Sequence, residues 1–456
     1  MSIAVAARNV WLQRLTVFAA VVAVLWLVVF PGYAWAAGGG IEGAFKLVDS
    51  REHSLWDYFL SLNEGGPRHM GKAFWSFLAH MNWSIYQLCT ALNVWIVDWA
   101  LSFGWVSIIA TPLIAIGDAL SNVIDQLGLV PTFLTVSAFV GGIAMLRGRI
   151  ASGVWDIGMA VVISALAGGL LANPVHDVVG EDGYIYQVRD FGLELAAQIT
   201  AESRVSNADL KEVDYSNPQA AKQAMVSGMV DSFIRMPHQI VNFGQLADGT
   251  ACEQSYDDGL TESVKEADYT KLRESVKKCE DDSLGKAMFD FADNPSPVMW
   301  MSSLFIAPAA GIFGALSIVL AGSLILAGIM TMFQALKSVV TLVTGLLPGE
   351  ARGSVFMTLA EMIMALAVLV FTTIFLSLFL AVIQTLFGGS QNPIQLIMIV
   401  DVVLVTGIIL FVRTRKRLTA AAQRLAEMMA KKPGGANPTN CLLYTSPSPR
   451  DKRQSR

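Results

Sequence analysis

Apolar residues in this chain fall into long runs, separated by short basic or proline-bearing turns and by one long polar stretch. About 20 apolar residues suffice for a helix to cross a bilayer. Five runs past the N-terminal region predict such helices. The first, Leu127 to Leu146, ends at Arg147-Gly148-Arg149. The second, Val154 to Ala172, exits at Asn173-Pro174, where proline discourages further helix. The third is Leu304 to Met332, with Lys337 just beyond it. The fourth, Val355 to Leu386, is long enough to tilt, and Gly388 to Pro393 then make a tight turn. The fifth, Ile394 to Val412, runs into Arg413, Arg415, Lys416 and Arg417.

Between the second and third runs lies a polar insert over 173–298, with 23 acids and 11 bases. Asp190 to Ala201, Lys222 to Phe233 and Glu262 to Glu280 read as helices, and Asn217-Pro218, Asn294-Pro295 and Pro297 punctuate them. No strand alternation stands out, so the insert predicts a small helical domain, with Arg235 to Gly244 as its buried, turn-forming core. Lys337 to Pro348 predicts a short amphipathic helix. Thr419 to Lys432 predicts a basic one carrying Arg424, Lys431 and Lys432, before Pro433-Gly434-Gly435.

Residues 37–126 are harder to read. Trp56, Trp75, Trp83, Trp95, Trp99 and Trp105 alternate with polar residues. Tryptophan favours the headgroup region, so amphipathic helices on the outer leaflet are expected. The alternative is a helical hairpin across Leu92 to Gln126, which adds two spans. Asp98, Asp118 and Asp125 make it costly unless they face protein or water.

Both ends read as separate segments. Arg8 and Arg14, an apolar stretch from Leu15 to Phe30, and Ala34-Trp35-Ala36 together predict a secretory signal peptide over 1–36. Cys441 to Asp451 back-translates to the read-through of a transposase-type sequencing adapter. Residues 441–456 are therefore expected to be an assembly artefact.

The chain is 54% hydrophobic and 15% charged, with mean hydropathy +0.52. Soluble domains usually carry about 25% charged residues, so a soluble globular class is excluded. Without the two end segments the charged residues are 26 basic and 36 acidic, a net charge of −10. Basic flanks stay in the cytoplasm. An outside start then puts Arg147, Arg149, Lys337 and Arg413 to Arg417 inside and the insert outside. The expected protein is all-α: about five spans, a small helical extracytoplasmic domain between spans two and three, and a basic cytoplasmic helix over 413–440. Its expected place is the bacterial cytoplasmic membrane, N-terminus outside and C-terminus inside. The basic residues Arg147, Arg149, Arg413, Arg415, Lys416 and Arg417 are expected anchors to the inner face.

Little in the chain points to catalysis. The five histidines, His53, His69, His80, His176 and His238, are scattered without ligand spacing, and no P-loop or nucleophile-elbow motif occurs. No enzyme, cofactor or metal is expected. Cys252 and Cys279 share the oxidising side and predict a disulfide. Three acidic residues fall within spans. Asp401 stands about 10 Å into the fifth, Glu361 one or two turns into the fourth, and Asp156 at the start of the second. Intramembrane carboxylates line polar paths or bond neighbouring helices, and both readings stay open here. Ala310-Gly311 with Gly314-Ala315, and Gly168-Gly169 with Ala172, permit close helix contact. The insert's net charge of −12 opposes phosphate binding.

Several local stretches carry a resemblance. They are Leu146-Arg147-Gly148-Arg149, Leu171-Ala172-Asn173-Pro174, Arg235 to Gly244 (RMPHQIVNFG) and Gly345 to Glu350 (GLLPGE). With the span order, they make Leu127 to Lys432 similar to the TrbL-type polytopic subunit of conjugative type IV secretion systems, in versions from high-GC Gram-positive bacteria. The resemblance implies a channel or scaffold subunit that assists DNA or protein transfer. It implies other secretion-system subunits as partners, including a cytoplasmic ATPase, transient contact with transferred DNA, and an oligomer. It supplies no active-site residues. The reading from the residues alone that competes with it is an ion- or solute-translocating permease using Asp401 and Glu361.

Overall fold

A computed structural model describes residues 45–65, 69–168, 173–202, 214–349, 351–387 and 393–430. The signal peptide expected over 1–36, the turn Gly388 to Asn392, the residues Lys431 to Gly435 and the adapter-like tail lie outside these residues, as do Gly169 to Ala172. Among the described residues the chain is all-helical, with no strand.

After a 3-10 turn at Leu55–Asp57 come α1 (Met70–Ser102), α2 (Gly104–Gln126), α3 (Leu129–Leu146) and α4 (Ile150–Gly168). The insert holds α5 (Pro174–Val179), α6 (Tyr184–Glu202), α7 (Pro218–Val230), a π turn (Asp231–Arg235), α8 (Met236–Phe243), α9 (Glu253–Glu266), α10 (Thr270–Val276) and α11 (Asp282–Asp293). Three long helices follow: α12 (Pro297–Gly345), α13 (Ala351–Phe387) and α14 (Pro393–Ala430).

Among the described residues six stretches are long and apolar enough to cross a membrane: Met70–Gln126, Leu129–Leu146, Ile150–Gly168, Pro297–Gly345, Ala351–Phe387 and Gln395–Ala421. By helix length and hydropathy this is a multi-pass membrane protein. Five of the six coincide with the expected spans. The sixth, Met70–Gln126, covers much of the region expected to lie along the surface. Two of the three acids that disfavoured a span there are compensated, and Asp125 is exposed. Asp98 pairs with Lys222 at 2.7 Å, and Asp118 accepts from Asn173 at 3.4 Å. The alternative, a hairpin across Leu92 to Gln126, meets two helices with other bounds. Helix α1 runs to Ser102, and Phe103 at φ 56° separates it from α2.

The last three helices outrun their expected bounds. Helix α12, of 49 residues, absorbs the separate amphipathic helix expected at Lys337, because no glycine or proline stands between Met332 and Gly345. Helix α14 carries its basic residues without a break to Ala430. The insert departs the other way. The single charged helix expected over Glu262 to Glu280 is broken at Ala267, which is left-handed at φ 53°. The Asp268 carboxylate then accepts from Thr270 N and Oγ1 at 3.0 and 2.7 Å, a side-chain turn just ahead of α10. Arg235 to Gly244 is buried as expected but is helical and not turn-forming. It ends where Gly244 takes a left-handed φ of 74°.

The chain divides into two compact units. One comprises residues up to Ser102, Leu193–Ala321 and Thr373–Ile408. In it the strap Phe45–Asn63 is built into the polar domain of α7 to α11. Ser61 N donates to Asn242 Oδ1 at 2.8 Å, and Ser50 N to Asp231 Oδ1 at 3.2 Å. The membrane portion of this unit aligns α1 with the start of α12. Asn82 reaches Ser303 at 3.2 Å, and Asn93 donates to the Ala310 carbonyl at 2.9 Å. The other unit comprises Phe103–Gly192, Gly322–Thr372 and Ile409–Arg456. Its α3 and α4 form a hairpin that closes on Gly141 and Gly153. A Cβ at Gly153 would run into the Gly141 carbonyl and Met145. Large apolar side chains such as Phe139, Val154 and Val161 face outward on this hairpin, as suits a lipid-facing element.

Candidate functional site

Among the described residues, three places bring charged or polar side chains together out of water. The largest is the centre of the polar domain. Arg235 enters it from the π turn and is fully buried. Its guanidinium binds Asp248 in a bidentate fork, Nε to Oδ2 at 2.8 Å and Nη2 to Oδ1 at 2.7 Å. It also reaches Asp257 at 2.5 Å and Asp49 of the strap at 3.3 Å. Its carbon lies 5.0 Å from the centre of the Tyr256 ring. Arg51 of the strap pairs with Glu253, and with Asp257 at 2.9 Å. Gln239 completes the arrangement, donating to Asp248 at 2.8 Å and accepting from Ala247 N at 2.9 Å.

These charges set one another's ionisation. Burial and the neighbouring Arg235 push the Arg51 guanidinium down, but Asp248, Asp257 and Asp231 outweigh them and hold it above its usual range. Burial raises the Asp257 carboxyl against the pull of the two arginines. Asp248 is held below the usual carboxylate range, because Arg235 overcomes the burial that opposes it. His238 lies under the same roof. Its Nε2 donates to the Phe59 carbonyl at 2.9 Å, and its Nδ1 accepts from the Tyr256 hydroxyl at 2.7 Å. Burial pushes this imidazole down to about 4. The network pairs both arginines with carboxylates drawn from the strap and from the domain. It is a lock between strap and domain.

Beside it, the expected disulfide is present. Cys252 and Cys279 are joined with Cα atoms 4.9 Å apart. The bond ties the start of α9, which carries Glu253, Tyr256 and Asp257, to the turn before α11.

The second place is a groove of about 580 Å³ in the membrane part of the first unit. Tyr86, Cys89 and Asn93 of α1 face Ala307, Gly311 and Gly314 of α12 across it. A side chain at Gly311 would meet nothing within 4 Å, whereas one at Gly314 would press on Asn93 at 2.9 Å. In the same unit Asp401 of α14 is half-buried, and its Oδ1 is shielded without a hydrogen-bond partner.

The third place is in the second unit. Arg352 donates to Asp156 at 2.8 Å and to Ser137 at 2.9 Å, joining α13, α4 and α3 in a buried triad. Glu361 is more open, accepting from Gln334 at 2.7 Å and lying 3.6 Å from Lys337. The three carboxylates expected to line one polar path are therefore held differently. Asp156 has a buried cation, Glu361 has exposed partners, and Asp401 belongs to the other unit. Of the basic residues, Arg147, Arg149, Arg413, Lys416 and Arg417 are exposed, and Arg415 donates to Ser323 at 2.8 Å. The Arg235 network and the Arg352 triad gave no signal in sequence, since each joins residues far apart in the chain. Among the described residues no group of three His, Cys, Asp or Glu side chains is placed to hold a metal ion. Comparison with family models, curated proteins and solved structures finds no match to this chain.

Proposed function

We propose that this chain is a membrane channel or scaffold subunit of a conjugative type IV secretion system, taking part in transfer of DNA or protein. It would sit in the bacterial cytoplasmic membrane with its disulfide-bearing domain outside and the basic end of α14 inside. It would work with other secretion subunits and a cytoplasmic ATPase, since it carries no nucleotide-binding motif of its own. One observation carries the reading. The stretch Arg235 to Gly244, which bears much of the resemblance, forms the buried centre of the polar domain. A domain stapled this thoroughly suits a rigid docking element for outer partners. Its acidic surface favours protein over DNA.

The test is an in-frame deletion of the gene in its native element, read as transfer frequency between cells. Transfer should fall to background and return on complementation. Unchanged transfer, or a locus lacking any conjugation ATPase, coupling protein or relaxase gene, would defeat the reading. A permease is the competing reading, favoured by the unpartnered oxygen of Asp401. Gradient-driven solute uptake by the protein in proteoliposomes, lost in Asp401→Asn, would select it instead.

A further inference from the structure

The groove between α1 and α12 lies between two stretches that are long and apolar enough to cross a membrane. The two helices run side by side in the same direction. Trp75 and Trp300 meet near their starts, with ring centres 5.8 Å apart, and tryptophan favours the headgroup region. Lys72 donates to the Asp293 carbonyl at 2.9 Å, so these ends lie against the polar domain. The groove begins at Ala307, about 10 Å beyond Trp300, and follows α12 to Val319 for about 18 Å more. That length is comparable with half the hydrocarbon core, about 15 Å.

What surrounds the groove decides what fills it. On α1, Phe74, Phe77, Met81, Ile85 and Leu88 are exposed, and spacings of three or four put them in one row. On α12, Met301, Leu304 and Phe305 are exposed. In a bilayer these rows face hydrocarbon, and Ile85 belongs both to its row and to the groove wall. The groove therefore opens onto acyl chains. Its polar walls turn donors inward: Tyr86 gives its proton to the Phe233 carbonyl at 2.7 Å, and Asn93 reaches the Ala310 carbonyl at 2.9 Å. Width separates the apolar occupants. A volume of about 580 Å³ along about 18 Å leaves a cross-section of about 30 Å². A helix about 10 Å across fills about 80 Å². A single alkyl chain is only one methylene group wide.

We propose that the groove holds one acyl chain of a bilayer phospholipid, in the leaflet nearest the polar domain, with its headgroup at the level of Trp75 and Trp300. The chain fills the space beside Ala307, Gly311 and Ala315 and packs α1 against α12. This rests on the membrane spans and not on the secretion reading.

The test uses the full-length protein in phosphatidylglycerol vesicles, part of the lipid carrying a diazirine on its acyl chain. The sample is moved into excess detergent, irradiated and mapped by mass spectrometry. Label should persist in the peptides of Ile85 to Asn93 and Ala307 to Val319. It should be lost from Phe139, on the exposed face of α3, where lipid exchanges freely. Because a side chain at Gly311 meets nothing within 4 Å, Gly311→Leu should elute unchanged from gel filtration and lose the retained groove label several-fold. Gly311→Ala, which favours the helix, should lose part of it. Groove label that washes out with that of Phe139, or that is unchanged in both variants, overturns the proposal. So does oxidative cross-linking of Cys89 between copies in a Cys441→Ser background with the groove unlabelled, which would seat a second copy there.

Discussion

His238 has both ring nitrogens committed, one as donor to Phe59 and one as acceptor from Tyr256, so an added proton has no acceptor waiting. Its folded value of about 4 lies below the ordinary 6.5. Between those two values the unfolded chain binds the proton and the folded chain does not. Stability from this group is therefore full above pH 6.5, falls as pH drops toward 4, and is level below that. The loss amounts to about 3 kcal/mol over the window. Thermal melts of the wild type and of His238→Gln should differ in slope across that range, the variant being flatter. Parallel pH profiles would remove His238 from the account. In sequence His238 was one of five scattered histidines, and nothing local marked it. Its partners, Phe59 and Tyr256, come from the strap and from α9. Asp49 and Arg235 meet across 186 positions, beyond the reach of any periodicity. Cys252 and Cys279 were legible because compartment chemistry, not spacing, selects the pair.

Among the elements, α9 to α11 depend most on a single covalent bond. Closing 27 positions with a disulfide stabilises the fold by about 3 kcal/mol in the chain-entropy view. Cys252→Ser should therefore speed proteolysis within α9 to α11 and, by freeing Glu253 and Asp257, loosen Arg51 of the strap. Limited proteolysis followed by mass mapping reads both, and unchanged cleavage would count against the staple. Elements were legible where hydrophobic length spoke alone, as in α3, α4, α13 and the apolar half of α14. They were misread where polar residues had remote partners. Asp98 looked too costly for a span until Lys222 met it, and Glu262 to Glu280 looked continuous because the turn at Ala267 uses no glycine.

Across the whole molecule, the strap and the polar domain pack into one body, so Phe45–Asn63 and α7 to α11 share one side of the membrane. The chain must cross an even number of times between them. Helices α3 and α4 supply two crossings under the proposed topology. Met70–Gln126 then contributes none or two: it dips and returns, or it spans twice. Introduced cysteines test this in a Cys89→Ser background. Membrane-impermeant maleimide should reach Glu64→Cys, Gly128→Cys and Ser283→Cys from the same side. Gly128→Cys reacting only from the opposite side would show an odd count and refute the shared-side arrangement.

The same strap imposes a timetable on the newborn chain. Asp49 leaves the ribosome 186 residues before the Arg235 that will hold it. At ordinary elongation rates that interval is about 10 to 40 s. Throughout it, Leu47, Leu55 and Tyr58 have no core to enter, while the intervening helices are threaded into the bilayer. The cysteines that seal the domain emerge later still. A part of the protein made early is thus among the last to fold, and during that wait it is open to a chaperone or to a protease.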